Sequence, residues 1–162
     1  MWRELEGPSG PLQCRDVGEG PNVLVYLHSG WGYDIYPFEQ QIEALGPGFR
    51  GLSPDRSGYG RSGRDSEPFP LDFHERGARD TLAILDALGV EEAMLWGHSD
   101  GACISARLSL LAPERLKAMV LEAFNLYRVK PGSRAFFEAM IHDPESFGGG
   151  VMRVLAAEHG ED

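Results

Sequence analysis

The chain has 162 residues, 42% apolar and 25% charged, which suits one globular domain and excludes a disordered or low-complexity chain. Its formal net charge of −10 opposes a phosphate backbone and an anionic membrane surface alike, so neither nucleic acid nor membrane is an expected partner. No apolar run reaches the ~18 residues that cross a bilayer, residues 1–6 lack the apolar core of a signal peptide, and Cys14 and Cys103 show no Cys-x-x-Cys spacing, so free thiols, a cytoplasmic location and no metal are expected.

The first predicted elements are two extended pieces, Trp2–Glu6 and Leu12–Val17, on either side of the Gly7-Pro8-Ser9-Gly10-Pro11 turn. They read as an edge hairpin. Val23–His28 follows as an unbroken aliphatic and aromatic run, the pattern of a strand buried on both faces in a parallel sheet. Phe49–Ser53, Ala93–Trp96 and Leu116–Leu121 repeat it.

Helices alternate with these strands. Pro37–Leu45 is a short amphipathic segment and Asp72–Leu88 a longer one. Asp72 and Glu75 have capping-box spacing, Ala78, Leu82, Leu85 and Leu88 share a face, and Glu75/Arg79 and Arg76/Asp80 stand at i,i+4. Gly101–Leu111 is apolar nearly all round and reads as largely buried. Arg134–Ile141 and Val151–Glu158 are helical patterns separated by Asp143-Pro144 and by the Gly148-Gly149-Gly150 run. Such alternation predicts an α/β fold, a mainly parallel sheet with helices on both faces.

The residues that carry chemistry lie at strand ends. Gly97-His98-Ser99-Asp100-Gly101 matches G-x-S-x-G, follows a predicted strand and opens a predicted helix. That context is a nucleophile elbow, with Ser99 exposed on a sharp bend at a helix N-terminus. His28-Ser29-Gly30-Trp31-Gly32 leaves the first buried strand and has the form of an oxyanion loop, with Ser29 in place of a glycine. The backbone N–H groups of Gly30 and Asp100 are the candidate oxyanion donors. Asp55–Gly63 contains G-x-G-x-x-G in Gly58, Gly60 and Gly63, but Pro68 and Pro70 follow closely and no helix opens within the motif, which argues against a dinucleotide site.

These three motifs, in this order, resemble the α/β-hydrolase superfamily, where a D-R-x-G-x-G-x-S loop packs beside the site. The resemblance spans Val23 to Phe124, with Pro113-Glu114-Arg115 and Leu121-Glu122-Ala123 similar to small esterase- or peptidase-like members. It implies a hydrolase core over residues 1–124 and the start of a helical cap over 125–162. It also implies a serine hydrolase of small esters, amides or thioesters that needs no cofactor, and the serine separates it from members with aspartate at the elbow. The family order is Ser, then Asp or Glu, then His. Glu122, at a strand end, is a candidate for the acid. His28 falls in the oxyanion loop, His98 in the elbow, His74 in a helix on the sheet's outer face, and His142 and His159 in the cap region. None stands where the base belongs, so the chain is expected to be a truncated hydrolase and a poor catalyst alone. The alternative is a non-catalytic small-ligand binder. The sequence leaves the oligomeric state open. Trp31, Tyr33, Tyr36, Phe124 and Tyr127 are candidates to line an apolar pocket.

Overall fold

A computed structural model describes residues 1–33, 38–64, 70–125 and 133–159. The elements run β1 (Trp2–Gly7), β2 (Gly10–Val17), β3 (Asn22–Leu27), α1 (Glu39–Ala44), β4 (Phe49–Asp55), α2 (Phe73–Ala87), β5 (Ala93–His98), α3 (Asp100–Leu111), β6 (Leu116–Glu122), α4 (Ser133–His142) and α5 (Gly148–His159), with short 3-10 turns at Pro113–Arg115 and Pro144–Phe147. One six-stranded sheet has the order β1-β2-β4-β3-β5-β6. β1, β2 and β4 pair antiparallel, and β4, β3, β5 and β6 pair parallel. The sheet is therefore mixed but mostly parallel, as expected of an α/β fold.

Alternation along the central strands builds two cores. Val25 and Leu27 of β3, with Leu95 of β5, pack against Ala78, Ile84 and Leu85 of α2 and Ile104 and Leu108 of α3. Leu24, Tyr26, Met94 and Trp96 face the other way, onto Phe38 and Ile42. Each fully buried Leu or Ile contributes roughly 1.5–3 kcal/mol. Burial also pushes the Cys14 thiol up to about 12, which leaves it protonated and inert.

Several expectations are corrected. Asp72 makes no side-chain cap; its carboxylate accepts from Arg76 Nε at 3.0 Å instead. Glu75/Arg79 forms at 2.8 Å, whereas Asp80 is buried and accepts the Ser9 N–H at 3.0 Å, fastening α2 to the β1–β2 turn. α3 buries one stripe only, with Leu110 77% exposed. Gly148-Gly149-Gly150 opens α5 rather than separating helices. The largest departure is β6. Its apolarity suggested burial, yet Met119 and Val120 are 44% and 48% exposed. Among the described strands it is the edge, so nothing covers it on the far side.

At the far end of the sheet from the elbow, Asp16 is nearly buried and accepts from Arg50 Nε and Nη2, each at 2.8 Å, and from Arg3 Nε at 3.1 Å. The Arg50 hydrogen bonds outweigh burial and hold its carboxyl below the usual range. A lowered native pKa gives stability that is present above the unfolded value, about 4, and lost as pH falls through the native one. Asp16→Asn is thus expected to lose about 2 kcal/mol at pH 7, with the difference shrinking below about pH 4. Urea unfolding at both pH values checks this.

Candidate active site

The site begins with strain at one residue. Ser99 follows β5 directly and has φ 53° and ψ −111°, a left-handed conformation that disfavours any residue with a Cβ. Its N–H donates to the Glu122 carbonyl at 2.9 Å, and its own carbonyl receives the amides of Ala102 and Cys103 at 3.0 and 3.2 Å. The bend is therefore pinned between β6 and the first turn of α3. Two glycines allow it. A Cβ at Gly97 would collide with the Gly101 carbonyl, and one at Gly101 with the Leu27 carbonyl of β3. The Ser99 side chain is partly exposed.

The structure brings the other predicted residues to this bend. A Cβ on Gly30 would lie 2.6 Å from Asp100 Oδ2, so the turn after β3 and the elbow lie against each other. Within that turn, Trp31 N–H donates to Ser29 Oγ at 3.2 Å and Gly32 N–H to the Ser29 carbonyl at 3.2 Å. Ser29 thus supplies the hydroxyl that occupies one amide of the turn. The Gly30 and Asp100 amides take no partner among the described residues; the latter is one of the orphan donors of a helix start.

Glu122 lies elsewhere in the site. Its carboxylate accepts from the Trp96 indole at 3.1 Å, while its backbone oxygen holds Ser99. His28 is fully buried, with Nε2 accepting the Arg56 N–H at 3.1 Å, which places the ring proton on Nδ1, 2.8 Å from the Ser29 carbonyl. One nitrogen is thus committed to the turn after β3 and the other to the loop after β4. His142 ends α4 and is exposed, and the side chain of His159 lies outside the described residues. Tyr33 packs on Phe38 and accepts from Arg15 at 3.3 Å, so it belongs to the core on the α1 side. Trp31 and Phe124 are partly buried; Tyr36 and Tyr127 lie outside the described residues.

Three participants were not singled out from the sequence, although the loop that carries Arg56 and Tyr59 was expected beside the site. His74, expected away from the site, reaches it with Nε2 3.2 Å from Asp100 Oδ1. Arg56, only 6% exposed, donates from Nη2 to the Ser29 carbonyl at 2.8 Å and stands 3.7 Å from Asp100 Oδ2. Tyr59 donates its hydroxyl to the Gly30 carbonyl at 3.2 Å and lies under the Arg56 guanidinium. Burial pushes the Asp100 carboxyl up, but the hydrogen bond to His74 and the charge of Arg56 outweigh it, and the net shift is downward. The Asp55–Gly63 loop is a run of turns, and α2 opens only at Phe73, so its glycines do not meet a helix start as a dinucleotide site requires. No group of three or more metal-ligating side chains occurs among the described residues. No helix among them is long and apolar enough to cross a membrane.

Known proteins resemble this chain in sequence and in fold. The chain is 37% identical over 102 residues to the putative carbamate hydrolase RutD of Azorhizobium caulinodans, covering 63% of this chain and 37% of that one. It is 29% identical over 152 residues to the serine hydrolase BPHL of Mus musculus, covering 93% and 52%. Epoxide hydrolases are also among its relatives. The crystal structure of a hydrolase from Pseudomonas aeruginosa PA01 superposes with a TM-score of 0.74 at 26% identity, over 94% of this chain and 58% of that one. The chain thus spans about half or less of the curated relatives named here. The family model that describes the alpha/beta hydrolase fold matches residues 22–137, from the first parallel strand through the elbow and beyond β6, and the chain belongs to that family.

Proposed function

We propose that this chain carries the nucleophile and oxyanion half of a cytoplasmic serine hydrolase that acts on a small ester, amide or thioester. The observation that carries the reading is the strained Ser99 at the start of α3, held against the turn that contains Gly30. Strain of ~1–3 kcal/mol at one residue persists only where the surroundings enforce it, and functional sites are where such residues cluster. In the proposed reaction Ser99 Oγ attacks the acyl carbon and gives up its proton to a base. The carbonyl oxygen becomes an oxyanion between the Gly30 and Asp100 amides. The leaving group departs with a proton, and water then releases the acid and restores the hydroxyl.

The reading also assigns a limit. His28 and His74 are committed to Ser29, Arg56 and Asp100 rather than to the Ser99 hydroxyl. A serine hydroxyl with no adjacent base is a weak nucleophile, and oxyanion stabilisation and binding alone leave roughly 10³–10⁴-fold acceleration over water. The helices α4 and α5 would then belong to a cap over the substrate. A fluorophosphonate probe is expected to label the chain slowly and at one residue, with Ser99→Ala reducing labelling to background. A folded chain that takes no label, or an S99A variant labelled like the parent, overturns the reading and favours a non-catalytic binder.

A further inference from the structure

We propose that Arg56 is a positioning residue that sets the oxyanion donor, by fixing the peptide between Ser29 and Gly30 so that its N–H faces away from the guanidinium and toward the elbow. The inference rests on the reading of Ser99 as the nucleophile. Its physical basis is the planar trans peptide, in which the carbonyl of one residue and the N–H of the next point in opposite directions. Among the described residues no peptide bond is cis. The Ser29 carbonyl is held on one side by Arg56 Nη2 and His28 Nδ1, both at 2.8 Å. The Gly30 N–H is therefore turned to the other side. The next peptide is held in the same way, by the Tyr59 hydroxyl on the Gly30 carbonyl at 3.2 Å, but its N–H, on Trp31, is already taken by Ser29 Oγ. Of the amides at residues 30, 31 and 32, Gly30 is thus the one left to receive a ligand oxygen.

Such a lock is needed because Gly30 has no side chain to resist rotation of its peptides. Charge adds a second demand. The Asp100 carboxylate lies beside Gly30, where a negative charge opposes a developing oxyanion. Arg56, 3.7 Å from Asp100 Oδ2 and almost wholly buried, supplies the opposing charge. The guanidinium can do both because its planar fork presents donors in more than one direction and stacks on an aromatic ring at the same time; here its Cζ lies 4.4 Å from the Tyr59 ring centre.

The test compares the full chain with Arg56→Met, Arg56→Lys and Tyr59→Phe. The rate of Ser99 phosphonylation by a fluorophosphonate is measured together with its final amplitude. Loss of an oxyanion donor is expected to slow R56M about a hundredfold with the amplitude unchanged. Lysine, keeping the charge and one donor, is expected to recover roughly tenfold of that loss, and Y59F to fall by only a few-fold. A merely structural role would lower the amplitude, since fewer molecules would be folded, and leave the rate of the remainder alone. Crystal structures of the same variants give a readout independent of chemistry. The Ser29–Gly30 peptide is expected to rotate in R56M. An R56M chain that reacts at the parental rate, or that keeps this peptide in place, overturns the proposal; should R56M not fold, an R56K chain that reacts at the parental rate does so. If the parent takes no label, the Ser99 reading fails, and the peptide's orientation in the variants alone decides the role of Arg56.

Discussion

Gly101→Ala is expected to remove a large part of the stability of the folded chain. The added methyl would run into the Leu27 carbonyl oxygen and come within 2.9 Å of the His28 carbonyl. Both are backbone atoms, and both residues are fully buried. A flexible side chain can swing aside, but the β3 backbone is tied to β4 and β5 and cannot. Overpacking a core costs about 1–3 kcal/mol even where side chains can adjust. Against rigid backbone the expected loss is at least about 3 kcal/mol, a large part of the ~5–15 kcal/mol of a typical domain. Urea unfolding measures it. A G101A chain within about 1 kcal/mol of the parent would show that α3 does not sit on β3 at this distance.

Ser99→Gly is expected to have opposite effects on stability and chemistry. Glycine adopts φ 53° without a Cβ penalty, so the variant releases the strain at the elbow. Relief of ~1–3 kcal/mol, less the ~0.5–1 kcal/mol that glycine's unfolded-state freedom takes back, leaves a gain of about 1 kcal/mol. Reactivity toward a fluorophosphonate disappears. Ser99→Ala loses the same reactivity without the gain, because alanine keeps the Cβ. Thermal or urea unfolding of the pair separates the two effects. A glycine variant less stable than the alanine one would mean that the bend is not strained.

Much of this was legible in the residues themselves. β3 and β5 announce burial on both faces by unbroken apolar runs, and both lie inside the sheet. The elbow was legible because its steric demand leaves a local signature: glycines at 97 and 101 are required by backbone approach, whatever the rest of the chain does. β6 misled because an apolar run reports the burial a strand is suited to, not whether a neighbour is present to provide it. The individual contacts of Arg56, Tyr59 and His74 were missed for a different reason. Each acts across the fold, on a partner 26 or more residues away, and no local spacing encodes such a meeting. The Asp55–Gly63 loop did carry a hint, since a buried arginine needs acceptors, and the carbonyls of the turn after β3 provide one. The failed Asp72 cap shows the competition in reverse. An i,i+4 arginine took the carboxylate that spacing had assigned to the helix start.

The most direct test is a crystal structure of the chain after reaction with a fluorophosphonate, in which the phosphoryl oxygen stands where the oxyanion would be. The expected result is a covalent bond to Ser99 Oγ, with that oxygen about 2.7–3.1 Å from the backbone nitrogens of both Gly30 and Asp100. An adduct on another residue, or a phosphoryl oxygen turned away from those two amides, would contradict it.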